Sequence, residues 1–214
     1  LCAMGILLGL IERRKSGKGQ VVDAAMVDGA ASFLTFFHGL FAHHLMTLDI
    51  GSNMLDSGAP YYQTYETADG KYMAVGAIEG RFYAELLEGL GLDPSSLPSQ
   101  NDQKHWPEMT NRFDQVFRTK TRDEWAAIFD GKDACVAPVL ELNEVEAHPH
   151  NSERELLITI DGVTQPAPAP ILSRTPGRAV KAAGPRGSNT REILTGLGYS
   201  TEDIENLFER EIVE

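Results

Sequence analysis

Two short runs on either side of Asp69-Gly70 constrain the fold of this chain most. Residues 61–67 and 71–78 are rich in aromatic and β-branched side chains, which are enriched in strands. An Asp-Gly pair between two such runs favours a two-residue hairpin turn, in which both central residues have positive φ. The sequence therefore predicts an antiparallel hairpin over residues 61–78.

Apolar side chains recur at helical spacing directly after this hairpin. Phe82, Leu86, Leu87 and Leu90 would share one face of a helix from Gly80 to Leu90, which Gly91 would end. The other predicted elements are helices over 1–14, 26–48, 141–147, 190–196 and 200–208, a helix opened by a Thr121–Glu124 capping box, strands over 20–24 and 134–140, and an extended linker over 165–170. The prediction is a mixed α/β (α+β) chain, whose first helix is apolar enough to be buried on most sides.

Composition excludes several classes of protein. The chain is 42% hydrophobic and 23% charged, which is typical of globular proteins and unlike disordered ones. Its net charge of -12 comes without clustered Lys and Arg, so we expect no nucleic acid partner. The apolar opening, residues 1–10, is about half as long as a membrane-spanning helix. We therefore expect no membrane association.

The two cysteines, Cys2 and Cys135, are too few for a disulfide framework and lie in no metal-binding spacing. Both are predicted to be buried thiols in a reducing compartment. The C-terminus also lacks an SKL-type peroxisomal signal. We therefore expect a cytoplasmic protein.

Glu79 is the most informative candidate site residue, because it lies where a predicted strand meets a predicted helix, and loops on such scaffolds carry sites. An exposed acid at the N-terminus of a helix is the simpler interpretation. His43-His44 and His148-Pro149-His150 do not suit chelation of one ion, so no metal is predicted. From the residues alone, the sequence indicates a mixed α/β protein and no particular activity.

Longer motifs go further. The segment 53–79 reads NMLDSGAPYY at 53–62, TY at 64–65, TADG at 67–70 and MAVGAIE at 73–79. Supporting runs are KGQVVDAAM at 18–26, WPEM at 106–109, DACVAPVL at 133–140, TREIL at 190–194 and LGYS at 197–200. Together they resemble the α-methylacyl-CoA racemases, a branch of the family III CoA-transferase (CaiB/BaiF) superfamily.

The resemblance implies an interlocked homodimer. Each subunit would have a large Rossmann-like domain and a small α+β domain, and the active site would lie between the large domain of one subunit and the small domain of the other. Residues 1–60 would be the end of the large domain and linker helices, 61–150 the small domain, and 151–214 a return linker and C-terminal segment. Most of the large domain would be absent from this chain.

The resemblance also implies an activity, the racemisation of 2-methylacyl-CoA thioesters in lipid metabolism. CoA enters as part of the substrate, and no other cofactor is expected. The histidine and aspartate that move the proton would precede Leu1, so the chain alone is expected to be inactive. The family motif is not matched by His38, His43, His44, Asp23 or Asp28.

Four residues of this chain match functional positions of the family. Glu79 matches a supporting glutamate beside the catalytic histidine, whereas Leu55, Tyr62 and Ile78 match positions lining the acyl end of the site. The chain departs from the family at Gly80-Arg81, where proline and glutamine are usual. Two alternatives remain open: a family III CoA-transferase that moves CoA between carboxylic acids, and a truncated homologue that dimerises without catalysis.

Overall fold

The computed structural model describes residues 1–214 and confirms the mixed α/β class. The α-helices are α1 Cys2–Ser16, α2 Met26–Phe33, α3 Thr35–Ala42, α4 Gly80–Leu90, α5 Trp106–Phe117, α6 Arg122–Phe129, α7 Pro149–Glu153, α8 Thr190–Gly196 and α9 Thr201–Glu209. The strands are β1 Tyr62–Glu66, β2 Tyr72–Gly76, β3 Val136–Pro138, β4 Leu157–Ile160 and β5 Val163–Pro166. The chain divides into two compact units, Leu1–Val139 and Leu140–Glu214. The predicted boundaries near residues 60 and 150 stay a prediction.

The first unit contains an antiparallel sheet in the order β1-β2-β3. The predicted hairpin is confirmed, but its predicted two-residue turn is wrong. Gly70 has positive φ whereas Asp69 does not, and the loop closes through a 2.8 Å bond from Thr67 N to Lys71 O. The Asp69 carboxylate accepts bonds from the Thr67 hydroxyl and the Arg122 amide. These bonds stabilise the longer turn.

One face of this sheet packs on α4, α5 and α6 to form the core. Tyr65 on β1 stacks on Phe117 with 4.9 Å between ring centroids, and Phe117 meets Trp125 edge-on at 5.2 Å. Such aromatic pairs add about 0.5–1.5 kcal/mol beyond their burial. The core therefore links the hairpin to α5, a helix that our sequence analysis missed.

The ends of α4 and α6 follow the predicted signals. Gly91 ends α4 in the left-handed conformation with φ of 69°. Thr121 and Glu124 form the predicted capping box at the start of α6. The buried face of α4 differs from the predicted face at one residue: Tyr83 is buried, whereas Phe82 is only partly buried.

The first helix contradicts the prediction of burial on most sides, and the two helices after it are exposed as well. Gly17 ends α1 in the left-handed conformation. Helices α1, α2 and α3 contain no buried residue, because no layer of this chain covers their apolar faces completely. The predicted strand at 20–24 is also wrong: the segment is irregular and has no strand beside it to pair with. The helix predicted over 26–48 breaks at Leu34 and ends at Ala42.

The second unit contains a β4–β5 hairpin and the three short helices α7, α8 and α9. The two C-terminal helices are confirmed, and the Ser200 hydroxyl caps α9 by accepting from Asp203 N at 3.1 Å. The predicted helix over 141–147 is wrong, since this segment forms turns. There Glu141 N bonds to the Glu144 carboxylate, a local bond that competes with helix formation. Part of the predicted linker over 165–170 belongs to β5.

No helix of the chain combines the length and the apolar composition needed to cross a bilayer.

Candidate functional site

Glu79 lies between β2 and α4, at the N-cap position of the helix. Its backbone is extended, with φ of -75° and ψ of 141°, and its side chain makes no capping hydrogen bond. The residue is exposed, and its carbonyl accepts from Tyr83 N at 3.0 Å. The carboxylate is thus not used to cap the helix, although the helix N-terminus favours negative charge there.

Backbone and side-chain hydrogen bonds fix the strand-to-helix junction before Glu79. Gly76 N donates to Cys135 O, and Ile78 N donates back to Gly76 O, each at 2.9 Å. The Gln100 side-chain amide donates to Ala77 O at 3.2 Å and to Ile78 O at 2.7 Å. Gln100 was not a candidate from sequence, because these bonds join segments 22 and 23 residues apart.

An Asn–Asp network shapes the loop that carries Leu55. Asn53 donates from its backbone and its side-chain amide to the Asp56 carboxylate, at 2.7 Å each, and its side-chain oxygen accepts from Thr47 N at 2.7 Å. Partial burial opposes ionisation of Asp56, but the hydrogen bonds from Asn53 and from neighbouring amides outweigh it and lower its pKa. The loop is therefore stabilised with Asp56 ionised.

Leu55 lines an apolar cavity of about 300 Å³ within the first unit. The other lining residues are Phe37, Leu40, Leu45, Met46, Asn53, Met54, Asp56, Tyr61, Asn101, Gln103 and Trp106. Some polar groups on the cavity wall form hydrogen bonds with each other. For example, the Tyr61 hydroxyl donates to the Asn101 side-chain oxygen at 3.0 Å. The volume lies at the lower end of the range for small-molecule pockets, and the lining suits a hydrocarbon group.

The predicted acyl-lining residues do not share one pocket in the single chain. Tyr62 is exposed on the outer face of the sheet, in a shallow groove with Thr64, Ala74 and Ala137. Ile78 is partly buried against the core. The substrate roles of Leu55, Tyr62 and Ile78 therefore stay predictions.

Cys135 lies in the same groove as Tyr62, and the expectation of buried thiols is wrong because both cysteines are exposed. Cys135 directly precedes β3, which is an edge strand of the sheet, and does not pack inside. Desolvation by partial burial is the largest cause that raises the pKa of the Cys135 thiol, and the nearby carboxylates of Asp133 and Glu79 raise it further. The thiol is therefore kept neutral.

No group of three or more His, Cys, Asp or Glu side chains in residues 1–214 is arranged to hold a metal ion.

Comparison with known proteins gives the class of this chain. It belongs to CoA-transferase family III, whose family model matches residues 1–190. Over its whole length the chain is 49% identical to the Alpha-methylacyl-CoA racemase of Mus musculus and 47% identical to that of Homo sapiens. It spans 57% and 56% of those two proteins, which is little more than half of their length.

A solved structure supports the fold. A CAIB/BAIF family protein from Brucella suis matches with a TM-score of 0.69 at 19% identity, over 91% of this chain and 52% of that chain. At this identity the likeness concerns the fold alone. The family resemblance drawn from the sequence motifs is confirmed.

Proposed function

We propose that this chain is part of an enzyme that racemises 2-methylacyl-CoA thioesters. The observation that carries the proposal is the identity of 49% and 47%, over the whole chain, to two proteins named Alpha-methylacyl-CoA racemase. Because the chain spans little more than half of those relatives, the activity is proposed for the full-length protein and not for residues 1–214 alone.

The proposed reaction breaks and remakes one C–H bond. A base removes the proton α to the thioester carbonyl, the electron pair delocalises onto the carbonyl oxygen as an enolate, and an acid returns a proton to the opposite face. The two groups need opposite starting protonation states. We assign them to a histidine and an aspartate outside residues 1–214, and we assign Glu79 the role of orienting the histidine and supporting its charged form.

Several features of the first unit support these roles. Glu79 is exposed, sits on a hydrogen-bonded junction and is not used as a cap. The Leu55 cavity is apolar, as the hydrocarbon end of a branched acyl chain requires. We further propose a cytoplasmic homodimer in fatty acid metabolism, in which a second subunit completes the site, and which needs no cofactor beyond the CoA of its substrate.

The test is α-hydrogen exchange in D2O. The full-length protein is incubated separately with each 2-methylacyl-CoA epimer, and deuterium incorporation and the epimer ratio are followed by mass spectrometry and chiral chromatography. A racemase incorporates deuterium from D2O into both starting epimers, and both incubations converge on the same epimer mixture. Residues 1–214 alone should show no exchange.

The two alternatives give different results in the same experiment. A CoA-transferase would move CoA to an added free carboxylic acid without incorporating deuterium at the α-carbon. A non-catalytic homologue would do neither. Absence of exchange by the full-length protein would therefore contradict the racemase proposal.

A further inference from the structure

We propose that Gln100 is a positioning residue for Glu79, a role that rests on the proposed function. Its one side-chain amide donates to the carbonyls of Ala77 and Ile78, the two residues directly before Glu79. The orientation of the peptide that leads into Glu79 is therefore set by a residue outside that segment.

The junction needs such support because it has left the sheet. Strand β2 ends at Gly76, so the carbonyls of Ala77 and Ile78 have no strand partner. Both bonds to Gln100 are partly buried, and an unsatisfied buried carbonyl is costly. Gly80 follows Glu79, and a glycine adds no side-chain restriction of its own to the turn.

Gln100 is itself anchored to the core. The buried Trp106 indole donates to Gln100 O at 3.0 Å, and the buried Tyr61 hydroxyl donates to the side chain of the next residue, Asn101, at 3.0 Å. The rings of Tyr61 and Trp106 also meet edge-on, with centroids 5.9 Å apart. A continuous chain of contacts thus runs from the core through Gln100 to the backbone carbonyls of the two residues before Glu79.

The same anchor residues border the Leu55 cavity, since Tyr61, Asn101 and Trp106 line it. Gln100 does not line the cavity. A defect at Gln100 should therefore affect the step that Glu79 supports more than the binding of the acyl chain.

The test compares two glutamine substitutions in the full-length protein. Gln100→Met keeps the side-chain length and removes both donated bonds, whereas the control Gln115→Met changes an exposed glutamine on α5. We expect Gln100→Met to lower kcat for α-deuterium exchange by about 10- to 100-fold, as small misplacements of catalytic groups do, with KM changed less than about two-fold. Gln115→Met should match the wild type.

A double-mutant cycle separates positioning from a general structural role. If Gln100 acts through Glu79, Gln100→Met should cause little further loss of kcat in a Glu79→Gln background, because interacting residues are not additive. An equal fold-loss in both backgrounds would overturn the proposal. So would wild-type kcat in Gln100→Met.

Amide hydrogen exchange keeps this inference separable from the proposed reaction. If the full-length protein does not exchange the α-hydrogen, the racemase proposal fails, but the support from Gln100 is still measurable at the first turn of α4. The Tyr83 amide, which bonds to Glu79 O, should then exchange faster in Gln100→Met than in Gln115→Met. Unchanged protection of that amide would overturn the positioning role.

Discussion

Two regions of the first unit are rich in apolar residues: the module formed by β1–β3 and α4–α6, and the opening helices α1–α3. Only the module has a core. Tyr65, Met73 and Phe113 are at most 2% exposed, whereas α1–α3 contain no buried residue. A sheet and helices that face each other bury their apolar sides, while a helix without a covering layer does not. The comparison teaches that the Glu79 junction depends on the module and its core rather than on α1–α3.

The largest effect should come from a core aromatic residue. Phe117 is fully buried between Tyr65 and Trp125, so Phe117→Ala should lower the free energy of unfolding by about 3–5 kcal/mol. The matched control is Phe33→Ala on α2, where the side chain is 80% exposed and the expected change is within about 0.5 kcal/mol. Urea unfolding measures both. Equal losses would break the distinction between the two regions.

A smaller effect is expected from substitution of two glycines, Gly58 in the loop that carries Leu55 and Gly39 in α3. A Cβ at Gly58 would lie 2.6 Å from the backbone oxygen of Asn53, so Gly58→Ala should cost about 1–3 kcal/mol through local displacement. Gly39 in α3 has open space around its Cβ position, and Gly39→Ala should be stabilising by about 0.5–1 kcal/mol. Urea unfolding of the two variants would contradict this account if Gly58→Ala were as stable as Gly39→Ala.

The smallest effect is the pH dependence contributed by Asp56. Its pKa is lowered below the ordinary value of 3.8 in the folded protein, so its stabilisation is present above that value and is lost as pH falls through the lowered folded pKa. Unfolding free energies measured from about pH 6 down to about pH 2 should fall less steeply in Asp56→Asn than in the wild type. Parallel curves for the two proteins would show that the Asn53–Asp56 network does not stabilise the loop.

Two Asp-Gly pairs show how far local sequence determines a turn. Asp161 and Gly162 both have positive φ and connect β4 to β5 through a two-residue turn, which is the geometry that we predicted for Asp69-Gly70. At Asp69 the side chain instead bonds to Arg122 N, 53 residues away. The Asp161 carboxylate also accepts a distant bond, from Ala182 N at 3.1 Å. A distant partner alone therefore does not decide the turn, and the same local signal gives the two-residue turn at one pair and a longer turn at the other.

Helix α5 could have been predicted from the sequence. Pro107 lies in its first turn, a favoured position, and Trp106, Met109, Phe113 and Phe117 recur at helical spacing. Burial was harder to predict, because it depends on which layers face each other and not on the apolar pattern of one helix. The exposure of α1 is the clearest example.

The candidate site was predicted in part. Family motifs identified Glu79 as a candidate, and its location at the end of a strand and the start of a helix followed from local patterns. Gln100 could not be identified from the sequence, because a glutamine in a loop carries no local signal. Its two bonds exist only once the chain has folded. Supporting residues of this kind become visible only through tertiary contacts.

The most direct test of the central claim is α-deuterium incorporation by the full-length protein after changing Glu79. Glu79→Gln should lower the rate of exchange into 2-methylacyl-CoA by at least about 10-fold, since general acid–base catalysis depends on correctly held groups. The control Glu108→Gln, an exposed acid in the first turn of α5, should leave the rate unchanged. Exchange at the wild-type rate by Glu79→Gln would contradict the role of this residue in the site.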